Sequence, residues 1–92
     1  MTIFREIFGN TIRTRVVEFF FERPLNEFTS EQIADYIGIS KSYTRKVLRR
    51  IRSSGILSRR GFRTNYKWKL DITNDVVQEM MQVIFTNATI IF

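Results

Sequence analysis

The chain has 92 residues, with 15 lysines and arginines against 9 aspartates and glutamates, and neither histidine nor cysteine. That length predicts a single domain, 1–92, near the lower limit of what buries a self-sufficient core, so pairing with a second copy would help it. Without cysteine or histidine there is no disulfide framework, no thiolate or imidazole metal ligand and no histidine base; no metal, no cofactor and no enzymatic reaction are expected.

At the N-terminus, Ile3, Phe4, Ile7 and Phe8 repeat at helical spacing and predict a short helix lying on a hydrophobic surface. The segment Met1 to Glu6 lacks the apolar core of a signal peptide, and no apolar run reaches the roughly 18 residues of a membrane span. A cytoplasmic protein with no membrane partner is expected. Between Asn10 and Arg23, Ile12, Val16, Phe19 and Phe20 predict the first long helix, with Asn10 as its N-cap and Pro24 closing the run. Glu27-Phe28-Thr29 fits a short strand. Thr29-Ser30-Glu31-Gln32 has the form of a capping box and opens a second helix, whose apolar positions are Ile33, Ala34 and Ile37 and whose stop is Gly38. The carboxylates Glu18, Glu22, Glu27 and Asp35 have no nucleophile or glycine-rich phosphate loop to work with.

Ser40 is the next N-cap, and a third helix runs from Lys41 to about Ser54, ended by Gly55. Thr44, Val47, Leu48 and Ile51 form its buried stripe. At about 100° per residue, Ser42, Arg45, Lys46 and Arg49 lie opposite that stripe, flanked by Tyr43 and Arg50. Tyr43 fits equally a side chain packed on the second helix. Next, Ile56 to Arg60 reads as a strand, Gly61-Phe62-Arg63-Thr64-Asn65 as a turn, and Tyr66 to Leu70 as the return strand. In that return strand Tyr66, Trp68 and Leu70 point to one side, as core, and Lys67 and Lys69 to the other.

Asn74 caps a final helix, 75–92, in which Val77, Met81, Ile84, Ala88 and Ile91 follow a four-three-four-three spacing that Val76, Met80, Val83 and Phe85 widen. The expectation is a homodimer seam formed by Val77, Met80, Met81, Ile84, Ala88 and Ile91. The alternative is a helix folded back on its own domain, which already has Phe19, Phe20, Ile33, Leu48, Ile51 and Trp68 for a core.

Charge is segregated along the chain. Lys41 to Lys69 holds 11 basic residues and no acidic one, while the remainder holds 4 basic and 9 acidic. Arginines on a helix are often only a solvated face, but such a face mixes signs. Eleven like charges repel one another unless a polyanion compensates, and nucleic acid is the foremost candidate.

Two helices joined by a tight glycine turn, the second basic and followed by a basic hairpin, have the order of a winged helix-turn-helix. The expected fold class is α+β, mainly α, with core 8–70, wing 56–70 and a C-terminal dimerisation helix. Phe8-Gly9-Asn10-Thr11-Ile12-Arg13 resembles the opening of small ArsR-type regulators. Ile33-Ala34-Asp35-Tyr36-Ile37-Gly38-Ile39-Ser40-Lys41-Ser42 resembles the helix-turn-helix of ArsR- and MarR-like repressors, and Ser54-Gly55-Ile56-Leu57 the join into their wing. Compact cysteine-free regulators of this type are associated with archaea and archaeal viruses. Metal sensing by cysteine or histidine does not carry over. Tyr43 stands where a small residue is usual. Thr44 stands where valine is usual, its hydroxyl free to bond the Ser40 carbonyl.

The resemblance implies a regulator that binds double-stranded DNA as a homodimer on a pseudo-palindromic site, with recognition helices about 34 Å apart. It would be nucleoid-associated in the cytoplasm, a host's if the source is viral. Ser42, Tyr43 and Arg45 would contact bases, and Ser40, Lys41, Lys46, Arg49 and Arg50 the backbone. At the wing, Phe62, Arg63, Thr64 and Asn65 form the tip, with Arg59, Arg60, Lys67 and Lys69 along the strands. A non-specific architectural DNA- or RNA-binding role is the alternative, and a module whose basic patch meets an acidic protein is a further one.

Overall fold

The structure, a computed structural model, describes residues 5–6 and 9–91, the side chains of 64, 85 and 87–91 excepted. The helix expected on Ile3, Phe4, Ile7 and Phe8 lies outside the described residues, as do the side chains of Thr64, Ala88 and Ile91. In chain order the elements are α1 (Ile12–Phe21), β1 (Phe28–Thr29), α2 (Ser30–Ile37), α3 (Lys41–Ser53), β2 (Leu57–Arg60), a 3-10 turn (Arg63–Asn65), β3 (Lys67–Leu70) and α4 (Asp75–Ile91). Helix, short strand, two helices across a tight turn and a hairpin make the order of a winged helix-turn-helix.

The cap of α1 differs from expectation by one residue. Thr11, not Asn10, is the N-cap, because the helix begins at Ile12 and only the Thr11 hydroxyl then reaches the Thr14 N–H, at 3.1 Å. This helix is buried beyond a single stripe: Val16, Val17, Phe19, Phe20 and Phe21 are all enclosed. So is Glu18, whose carboxylate meets the Arg5 guanidinium at 3.1 Å.

The capping box of α2 is complete. The Gln32 N–H donates to Thr29 Oγ1 at 3.2 Å, and the Thr29 N–H donates to Gln32 Oε1 at 2.9 Å. Gly38, at φ +85°, ends the helix in the left-handed conformation and turns the chain toward α3. Arg15 of α1 donates to the Ile37 carbonyl at 3.2 Å, so a cation sits at the carbonyl end of α2 and ties the two helices.

Helix α3 starts where Ser40 accepts the Tyr43 N–H, and it buries Thr44, Val47, Leu48 and Ile51. The Thr44 hydroxyl donates to the Ser40 carbonyl at 2.8 Å, which lets a polar residue sit fully enclosed in that stripe.

The sheet has the order β1-β3-β2, all antiparallel. Directly opposed residues share a face. The pairs Phe28↔Trp68, Arg59↔Trp68 and Leu57↔Leu70 put Phe28, Leu57, Arg59, Trp68 and Leu70 on the inner face. Thr29↔Lys67, Ser58↔Lys69 and Arg60↔Lys67 put Thr29, Ser58, Arg60, Lys67 and Lys69 on the outer one. The alternation expected of the return strand is thus present, with Trp68 and Leu70 buried and Tyr66 half-buried.

Helix α4 is capped by Asn74, which accepts from the Val76 and Val77 N–H groups, and the residues of the expected seam differ in burial along it. Val77 and Ile84 are buried in the same hydrophobic cluster as Phe20, Ile33, Leu48 and Leu70, and Met80 and Met81 pack half-buried against it. Two residues seven apart lie nearly in line along a helix, so this stripe seats α4 on its own domain. Among the described side chains of this stretch the exposed apolar ones are Val76 and Val83, together with Ile72 just before the helix. Among the described residues no helix is long and apolar enough to cross a membrane.

Gly61 opens the hairpin turn at φ +107°, where an added Cβ would lie 2.6 Å from the Asn65 carbonyl oxygen, whereas a Cβ on Gly38 meets nothing within 4 Å. Gly61→Ala should therefore cost about 2 kcal/mol or more and Gly38→Ala about 1 kcal/mol, read from urea unfolding midpoints. Equal losses would contradict the close approach at Gly61.

Candidate nucleic-acid interface

Because α3 buries one stripe, its other side is left to water, and that side is cationic. Lys41, Ser42, Tyr43, Lys46, Arg49 and Arg50 are exposed, and Arg52 joins them at the last turn. Tyr43 is 43% exposed, so it is not enclosed against α2. Lys41 lies 4.0 Å from Glu31, a solvent-exposed pair of little energetic weight.

The hairpin's charge is divided by the pleat. Arg59 is half-buried on the inner face, its guanidinium 3.9 Å from the Tyr66 ring centre and 5.4 Å from that of Trp68. There it faces α3. Arg45 and Arg49 from α3, Arg59 from β2 and Arg63 from the tip, with Ser30, Tyr66 and Trp68, line one cleft of about 170 Å³. No carboxylate lines it. Arg45, expected to point outward with Ser42, is half-buried and belongs to this wall.

Arg60, Lys67 and Lys69 occupy the outer face of the sheet. Arg60 is hydrogen-bonded to Glu27, a residue that sequence order keeps outside the basic segment but that the fold brings beside it. The hydrogen bond from Arg60 holds the Glu27 carboxyl below the usual carboxylate range; partial desolvation opposes this, and the charges of Arg60, Lys67 and Lys69 assist it. At the tip, Phe62 is 71% exposed, Asn65 is exposed, and the Arg63 guanidinium lies 5.0 Å from the Phe62 ring centre. The tip needs an uncommon backbone: Arg63 has φ +58°.

The fold therefore collects α3, Arg59 and Arg63 on one side and leaves Arg60, Lys67 and Lys69 on another. The cleft and the Glu27–Arg60 pair were not legible in the sequence, since both join segments from distant parts of the chain. Glu18 carried a signal, being an acid within the apolar run from Val16 to Phe21. Its partner Arg5, 13 residues away, carried none.

No protein-family model matches the chain. No curated protein matches it. A solved structure from Methanosarcina mazei Go1, described as a possible transcriptional regulator, superposes with a TM-score of 0.64 at 14% sequence identity, covering 92% of this chain and 75% of that one. At that identity the likeness is one of fold.

The lowered Glu27 pKa has a consequence for acid stability. A carboxylate held below its unfolded value adds stability that is present above that value and lost as pH falls through the folded one. Glu27→Gln should therefore lower the melting midpoint slightly at pH 7, where the pair contributes, and the gap to the unsubstituted chain should close as pH falls below about 4.5, flattening the acid limb. An unchanged acid limb would show that the Glu27–Arg60 pair adds nothing to the fold.

Proposed function

We propose that this protein is a double-stranded-DNA-binding transcriptional regulator that sets α3 in the major groove and the hairpin tip on the adjacent backbone or minor groove. The observation that carries the reading is the juxtaposition of an exposed, acid-free α3 face with the arginine-lined inner side of the hairpin. The fold-level likeness to a protein described as a possible transcriptional regulator supports it. A particular kinship with ArsR- or MarR-like repressors rests on the sequence resemblance alone.

Ser42 and Tyr43 stand at the exposed N-terminal end of α3, the end a recognition helix presents to base edges. A serine hydroxyl can bond to any base edge, and a tyrosine ring can cover a thymine methyl. Lys41, Lys46, Arg49 and Arg50 extend from the same helix toward phosphates, and the first-turn N–H groups beside Ser40 add partial positive charge. Phe62, Arg63 and Asn65 at the tip, with Thr64 between them in the chain, are suited to a neighbouring groove.

The protein acts as a homodimer in this reading, on a pseudo-palindromic site. With Val77 and Ile84 buried in the core cluster, the apolar surface that the described side chains of α4 offer a second copy is Val76, Val83 and the exposed part of Met80. These positions are spaced four and three residues apart, as a helix seam requires. The protein works in the cytoplasm, at the nucleoid.

Selection of bound sequences from random duplex tests this directly. Two inverted half-sites about one helical turn apart are expected, bound ~10³-fold or more tightly than random duplex. Tyr43→Ala should then cost about 1 to 3 kcal/mol on the selected site and relax one position, while Lys46→Ala should weaken every duplex alike and lower the salt slope by about one unit. Comparable affinity for all duplexes would favour an architectural coating protein instead, and no retardation of duplex at low salt would favour an acidic protein partner.

A further inference from the structure

We infer that the cleft between α3 and the hairpin is a seat for one phosphate group, formed by Arg45, Arg49, Arg59 and Arg63. Three features converge on this assignment. The first is composition: four arginines and Ser30 are among the residues that line one small concavity, and no acidic residue is. Among the described residues none of these four arginines is hydrogen-bonded or ion-paired to a protein acceptor, in contrast to Arg5, Arg15, Arg23 and Arg60, each of which is. Four like charges so gathered repel one another, and a tetrahedral oxyanion relieves this with charge-assisted bonds to the planar forks.

The second feature is preorganisation. The Arg59 guanidinium is held against the Tyr66 and Trp68 rings, at 3.9 and 5.4 Å from their centres, so its orientation is set before any ligand arrives. Arg59 already occupies a face of these rings, and Trp68 is buried, which favours a phosphate over a stacked base. The third is strain. Arg63 keeps φ +58° at the tip, a conformation that favours glycine, and the residue so held lines the cleft.

One consequence revises a residue's role. Arg45, which the resemblance assigns to base contact, is here a phosphate ligand, leaving Ser42 and Tyr43 to read sequence. Shared chemistry leaves two sources for the group: a phosphodiester of bound duplex, which rests on the function proposed above, or free phosphate acting as an effector, which does not.

The test uses the full chain with pyrophosphate and inorganic phosphate as probes against chloride at matched ionic strength. Calorimetry should give saturable binding of one anion per chain, with a raised melting temperature. Arg49→Gln and Arg63→Gly should each weaken it at least about tenfold; the glycine variant suits the local φ, so its stability should hold or rise. Lys67→Gln and Lys69→Gln, on the outer face, should leave anion binding unchanged. Anion that competes with duplex identifies a backbone phosphate as the natural occupant; anion and duplex bound together identify an effector. The assignment is overturned if no saturable binding occurs, or if outer-face and cleft variants lose it equally. Anion binding by a chain that retards no duplex would sink the proposed function and leave the seat standing, whereas sequence-selective duplex binding with no anion effect would do the reverse.

Discussion

Helix α3 has one apolar stripe, and burying Thr44, Val47, Leu48 and Ile51 fixes the orientation of everything else on that helix. Rotating it to relieve crowding among its cations would pull Leu48 and Ile51 out of the cluster they share with Phe20, Ile33 and Leu70. A fully enclosed Leu or Ile side chain contributes about 1.5 to 3 kcal/mol, more than repulsion between solvent-screened arginines exerts. The core therefore dictates where the charge goes. Thr44 takes part because its hydroxyl is satisfied inside the helix by Ser40, so it adds to the stripe without an unpaired polar atom.

A second constraint, the period of the pleat, sorts the hairpin. Adjacent residues of β2 point to opposite sides, which sends Arg59 inward toward α3 and Arg60 outward to Glu27. Two neighbouring arginines thus enter different electrostatic environments. One joins Arg45, Arg49 and Arg63 around a cleft without acid; the other is partnered by a carboxylate whose own pKa falls as a result. A charge run that is uniform in sequence becomes an acid-free side and a partly compensated side in space.

Periodicity and capping carried most of the local structure. The capping box at Thr29 and Gln32, the stop at Gly38, the cap at Ser40, the stripe of α3 and the alternation of Tyr66 to Leu70 were legible because each is decided by neighbours within a few residues. The cap of α1 slipped by one residue since Asn10 and Thr11 are both good N-caps and only the start at Ile12 separates them. What could not be read was tertiary. The seam of α4 has the spacing of a dimer helix, yet the same spacing serves a helix that docks on its own domain, and Val77 and Ile84 are buried in that domain's core cluster. In the candidate site, the exposed face of α3 was foreseeable from helical geometry. The inward turn of Arg45 toward Arg59 depended on where the hairpin packs.

The central claim is that the outward face of α3 and the inner side of the hairpin form one surface for a duplex. Backbone amide shifts followed by NMR as duplex DNA is added test it most directly. Perturbations concentrated at Ser42, Tyr43, Arg49, Arg59 and Gly61 to Arg63, with little change along α4 or at Ser58 and Lys69, are the expected result. Shifts centred on the outer strand face or on α4, with α3 unmoved, would contradict it.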